Sequence, residues 1–141
     1  MAELLFGTAG APRSAAGRSV VDGVRRIAEL GLGCMEVEFV RGVRIRREQA
    51  GLAKETAAEL GITLTCHGPY YINLNSEEEE KRQASVVRIM DTARAAHWLG
   101  AVSFTFHAAF FMKKDPEAVY QVVSQALAEI SAAVKEEGLD V

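Results

Sequence analysis

Cysteine is scarce: the sequence has two, Cys34 and Cys66, and they are not spaced as a metal-type pair. Two thiols do not make a disulfide scaffold, so a reducing cytoplasm is the expected compartment. Long apolar runs are missing too, and nothing approaches the roughly 20 residues that span a bilayer. The opening residues, MAELLFGTAG, lack both a basic region and an apolar core, which argues against a secretory signal. There is no excess of positive charge: the net charge is −3, so nothing global draws the chain to nucleic acid or to an anionic membrane. What remains is an ordinary soluble composition over 141 residues, enough for one domain, 1–141, with its own core.

Within it, helical and strand patterns alternate. Strand-like segments are expected near Glu3–Phe6, Cys34–Phe39, Ile62–Cys66 and Val102–Phe106. Helical spacing of Val20, Val24, Ile27 and Ala28 predicts a first helix over 19–30, with Ser19 as its N-cap. A second helix covers about 47–60. A third begins near Ser76, where Ser76 and Glu79 match a capping box and Glu77–Glu80 place acid on the positive end of the helix dipole. Asp115 caps a fourth helix with Pro116 at its first position, and Val119, Val122, Val123, Ala126, Leu127 and Ile130 form its apolar stripe.

The junctions repeat. Leu30-Gly31-Leu32, Leu60-Gly61-Ile62, Leu99-Gly100-Ala101 and Glu137-Gly138-Leu139 each end a helix and lead into an extended segment. Four βα units imply parallel strands with right-handed crossovers. The last junction leads into LDV, which reads as the start of a fifth strand. The expected fold is therefore α/β, a parallel (βα)4 half of a (βα)8 barrel. The strands alternate rather than running continuously apolar. Glu36 and Glu38 share one face, as do Thr63, Thr65 and His67, and Ser103, Thr105 and His107. That polar face would line a barrel lumen and its mouth. Cys66 falls on the helix-facing side as a buried thiol.

His67 and His107 both end a strand, at the end where barrel active sites lie. Parallel neighbours about 4.8 Å apart place two imidazoles within reach of one ion. The alternative is a hydrogen-bonded pair of histidines with no metal. A catalytic zinc ordinarily takes three protein ligands, and Glu38 is the nearest in-chain carboxylate, either as a ligand or as part of a lumen network. His97, late in the third helix beside Trp98, reads as a structural or surface residue. The loops after strands 1, 2 and 4 hold Arg13, Arg18, Arg41, Arg44, Arg46, Arg47, Lys113 and Lys114, eight of the sixteen basic residues. Residues 7–18, 40–47 and 108–114 contain no Asp or Glu. A basic mouth suits phosphate, in a nucleic-acid backbone or on a small substrate. Tyr70 and Tyr71 are placed either to stack on bases or to pack against the mouth.

HGPYYINL at 67–74, FTFH at 104–107, MEVEFVRG at 35–42 and FGTAGAP at 6–12 resemble the endonuclease IV family of apurinic/apyrimidinic endonucleases, its archaeal branch above all. The likeness runs along the N-terminal half of that family's xylose-isomerase-like barrel. It implies a trinuclear zinc site that hydrolyses the phosphodiester 5′ to an abasic site. By position it makes His67 and His107 ligands of one zinc, places Tyr70 and Tyr71 in the loop that enters the DNA, and Arg41 in the neighbouring DNA-contacting loop. The family has His-Pro-Gly where this chain has His107-Ala108-Ala109, and its later ligands belong to strands 5–8, so an isolated chain of this extent is not expected to be an active nuclease. Two other functions fit the residues: a sugar isomerase or epimerase using Glu38 and one divalent ion, and a non-catalytic half-barrel that closes eight strands as a homodimer.

Overall fold

The computed structural model describes residues 4–141. The four Leu-Gly or Glu-Gly junctions are turns that no L side chain adopts easily. Gly31, Gly61, Gly100 and Gly138 have φ between 62 and 69°. Each stops a helix and sends the chain back to the same end of the sheet. The elements are β1 (Gly7–Ala9), α1 (Val20–Glu29), β2 (Cys34–Glu38), α2 (Arg47–Leu60), β3 (Thr63–His67), α3 (Glu79–Leu99), β4 (Phe104–Thr105) and α4 (Pro116–Glu136). The strands form one parallel sheet in the order β1-β2-β3-β4. This is half of a TIM barrel, as the sequence pattern predicts.

Alternation along the strands decides which face is buried. Met35, Val37, Leu64 and Cys66 point to the helices and are buried, while Glu36, Thr63, Thr65 and His67 stay partly open on the other face. The buried face meets Val24 and Ile27 of α1, Ala50, Ala53 and Ala57 of α2, and Ala95, Ala96 and Leu99 of α3. Small alanines on α2 and α3 let these helices lie close to the sheet. A second cluster joins Ile89 and Met90 of α3 to Ile130 of α4, with Ile72 and Leu74 from the β3–α3 loop.

Four boundaries differ from expectation. The first strand is Gly7–Ala9, not Glu3–Phe6; Glu3 lies outside the described residues. Any Cβ at Gly7 would sit 1.8 Å from the Cys34 carbonyl oxygen, so glycine is what lets β1 come alongside β2. Helix α3 starts at Glu79 with Glu78 as its N-cap, and the Ser76–Glu79 capping box does not form, because Ser76 Oγ accepts from the Glu78 N–H within a local turn. Strand β4 is two residues, although ladder bonds from Val102 to Leu64 and from Cys66 to Ser103 run past its ends. Residues 139–141 form no strand. The Asp140 N–H donates to Nδ1 of His97 at 3.0 Å, a contact that ties the end of α3 to the segment after α4.

Candidate metal and nucleic-acid site at the strand ends

Strand register brings the mouth together. Glu38 is the ladder partner of His67, and His67 of Thr105, two residues before His107. The His67 and His107 ring centroids are 5.3 Å apart at an interplanar angle of 50°. Tyr70 closes the group, 5.9 Å from His67 and stacked on His107 at 6.0 Å. Nδ1 of His67 lies 2.8 Å from the Gly68 carbonyl. A carbonyl only accepts, so Nδ1 carries the proton and Nε2 keeps its lone pair for a ligand or a metal.

The fit to zinc is therefore partial. One imidazole is oriented as a metal-binding histidine is, and a second stands beside it. Among the described residues, however, no group of three His, Cys, Asp or Glu side chains could hold an ion. The exposed Glu38 carboxylate does not join the histidines; a Cβ added to Gly10 would lie 3.1 Å from its Oε2. The set present offers two corners of a metal site and does not complete one.

Loop-to-loop bonds fix the surroundings. The Tyr70 N–H donates to the Val40 carbonyl at 3.3 Å, which ties the tyrosine loop to the loop carrying Arg41. The ring of Tyr71 is exposed, and its carbonyl accepts from Nη1 of Arg88 at 3.1 Å. The eight basic loop residues are all exposed. Arg18, Arg25 and Arg44 line a groove of about 630 Å³ between the start of α1 and the β2–α2 loop, with Asp22 and Glu38 as its acids. Glu77 is a further acid at the basic rim, 3.5 Å from Nζ of Lys114. Behind the site, burial and the nearby Glu36 carboxylate push the Cys66 thiol up to about 12, so it is an inert neutral group.

Sequence reasoning missed the part played by Asn73, Asn75 and the Phe110–Lys113 loop. Asn75 is buried and donates from Nδ2 to the Phe110 carbonyl at 2.8 Å; the Oδ1 of Asn73 accepts from the N–H groups of Asn75 and Phe110. The available signal was FFMKK at 110–114, an apolar run outside any helical or strand periodicity.

A parallel βα half-barrel with two histidines at the carboxyl ends of adjacent strands defines a TIM-barrel protein, with its candidate site at that mouth. The family model described as xylose isomerase-like TIM barrel matches residues 24–141, and the chain belongs to that family. It is 38% identical over 128 residues to the uncharacterized protein MJ0133 of Methanocaldococcus jannaschii, covering 90% of this chain and 45% of that one. Endonuclease IV from Thermus thermophilus superposes with a TM-score of 0.64 at 22% identity, over 87% of this chain and 47% of that one. D-psicose 3-epimerase from Clostridium cellulolyticum, solved with D-tagatose, gives 0.69 at 17% identity, over 94% and 50%. The chain thus spans about half the length of the proteins it matches, and at these identities the two solved structures speak for fold alone. No helix of the described residues is long and apolar enough to cross a membrane.

Proposed function

We propose that this chain carries the first metal-ligand pair and part of the DNA-facing rim of a barrel hydrolase that cuts the phosphodiester 5′ to abasic sites, as in the endonuclease IV family. The observation that carries this reading is the cluster of His67, Tyr70 and His107, with ring centroids 5.3 to 6.0 Å apart, beneath loops rich in arginine. His67 through Nε2, together with His107, holds the ion. Arg41 and its neighbouring arginines take backbone phosphates, and Tyr71 enters the gap left by the missing base. Zinc is the ion this donor pair favours, and when bound it supplies positive charge to the phosphate under attack. The partner is DNA with an abasic site.

The test is elemental analysis of protein purified without chelator, wild type against His107→Ala, followed by an assay of abasic-duplex cleavage. About one zinc per chain, lost in the variant, is the expected result for a real donor pair. Absence of metal from both proteins would sink the reading. One observation favours a second reading, a metal-dependent sugar epimerase: Glu38 lies directly across the ladder from His67 on the polar face. Conversion of a ketohexose, with no cleavage of abasic DNA, would select it.

A further inference from the structure

The loop after β4 presents apolar side chains to solvent at the mouth. Phe110, Phe111 and Met112 are 57%, 60% and 53% exposed. Met112 and Lys113, with φ of 54° and 59°, are the non-glycine residues with left-handed backbone among those described. L side chains avoid that conformation, and it persists only where the surroundings impose it. The Lys114 N–H donates to the Phe111 carbonyl at 2.9 Å across these two residues, and the loop is held at its start: Asn75, buried to 3%, holds the Phe110 carbonyl, Asn73 Oδ1 accepts from the Phe110 N–H, and the Leu74 N–H donates to the Ala108 carbonyl. The same asparagines belong to the loop that carries Tyr70 and Tyr71. Four exposed aromatic rings are therefore carried on a hydrogen-bonded pair of loops next to His107.

We propose that the Phe110–Lys113 loop is a second nucleic-acid contact, on which unpaired bases stack while Lys113 meets their backbone. This rests on the nucleic-acid reading above and extends it to a loop outside the tyrosine and arginine loops. Three features select this occupant over an apolar protein surface. The segment 108–114 has two lysines and no acid; Lys114 lies 3.5 Å from Glu77, so Lys113 is the cation assigned to the backbone. The loop is hydrogen-bonded through Asn73 and Asn75 to the segment that follows the tyrosines, and its rings border the start of α4 beside Pro116, Glu117 and Tyr120. Stacking platforms flanked by cations are how single strands are bound without sequence preference, because every base offers a π-face.

The test is fluorescence anisotropy with three labelled probes: an oligothymidylate, a duplex carrying a tetrahydrofuran abasic analogue, and an intact duplex. The variants are Phe110→Ala/Phe111→Ala, the same pair changed to Leu, Lys113→Ala and Arg41→Ala. Both double variants are expected to bind the oligothymidylate and the abasic duplex roughly tenfold more weakly, with the slope of log affinity against log salt unchanged. Lys113→Ala is expected to lower that slope by about one phosphate contact. Leucine keeps the apolar area, so binding retained by the leucine pair and lost by the alanine pair would overturn stacking. Wild-type binding by both double variants alongside weak binding by Arg41→Ala would overturn the loop contact and leave the nucleic-acid reading intact. No binding of any probe by the wild-type chain would overturn both. A fall in light-scattering mass in the double variants, with DNA affinity unchanged, would reassign the patch to contact between copies of the chain.

Discussion

Helices α3 and α4 are both 21 residues long, yet α3 buries eight residues and α4 buries two, Val119 and Ile130. The difference follows from position. α3 lies over β3 and between α2 and α4, so three of its flanks meet other elements. α4 sits at the β4 edge of the sheet, where α3 is its one helical neighbour among the described residues and the β3–α3 loop and Phe106 complete its apolar contact, with Tyr120 and Val122 left open. The centre of the chain is thus a closed core, and the β4–α4 edge is a thin attachment to it. The candidate site straddles the two: His67 belongs to the centre, His107 and the aromatic loop to the edge. Stability and function are unevenly shared between them, and three measurements would break or sharpen that contrast.

The largest expected effect is in the core. Ile89 of α3 is fully buried, and Ile89→Ala should cost about 2–5 kcal/mol in urea unfolding, since removing its side chain leaves a cavity with little room to relax. Ile130 of α4 is 6% exposed, beside a flank open to solvent. Ile130→Ala should cost less than half as much, because the edge can collapse into the space. Equal costs for the two would show that α4 is as firmly built in as α3, and the contrast would fail.

The second effect separates the regions by titration. Cys66 sits under the centre of the sheet, where burial, reinforced by Glu36, raises its pKa from 9.0 to about 12. The folded state therefore favours the neutral thiol. That preference is fully present below pH 9 and is lost as pH rises from there toward about 12, because the unfolded chain ionises first. Wild type should lose more stability across this window than Cys66→Ala, and a thiol reagent at neutral pH should label the half-buried Cys34 well before Cys66. Labelling of both at one rate in the native protein would mean that the sheet opens around Cys66 as readily as reagent reaches the half-buried Cys34.

The centre was also the more legible region. The Leu-Gly junctions and the alternation of Met35, Val37, Leu64 and Cys66 encode the parallel strands and their buried face, because period and turn chemistry are local properties. His67 and His107 could be placed together for the same reason: each ends a strand, and neighbouring parallel strands share a height. At the edges, local signals misled. Leu4-Leu5-Phe6 reads as a strand, but the strand forms one step later, where Gly7 permits close approach to Cys34. Ser76 and Glu79 read as a cap, but the β3–α3 loop takes Ser76 into its own turn. Leu139–Val141 read as the start of a strand, but these residues form none, and the Asp140 N–H donates to His97. The hold of Asn75 on Phe110 spans 35 positions in sequence, and no local pattern announces it.

The smallest effect concerns the charged fastening between centre and edge. Arg94 on α3 donates from Nε and Nη2 to the two carboxylate oxygens of Glu137, the C-cap of α4, at 2.8 and 2.6 Å, and from Nη1 to Asp91 at 2.9 Å. The geometry is a two-pronged pair, but both side chains are more than a third exposed, so water and salt screen it. The hydrogen bonds from Arg94 hold the Glu137 carboxyl below its ordinary value of 4.5. A lowered folded pKa means that the contribution is present above the ordinary carboxylate range and disappears as pH falls through the folded value. Glu137→Gln should therefore move the urea midpoint slightly at pH 7 and low salt, and not at all in molar salt or once pH has fallen below the lowered folded pKa. A shift at pH 7 larger than that of Ile130→Ala would reverse the account of the edge. The α4 helix would then be held by its terminal charges rather than by its apolar strip, and the loop that precedes it would owe its rigidity to Asn73 and Asn75 alone.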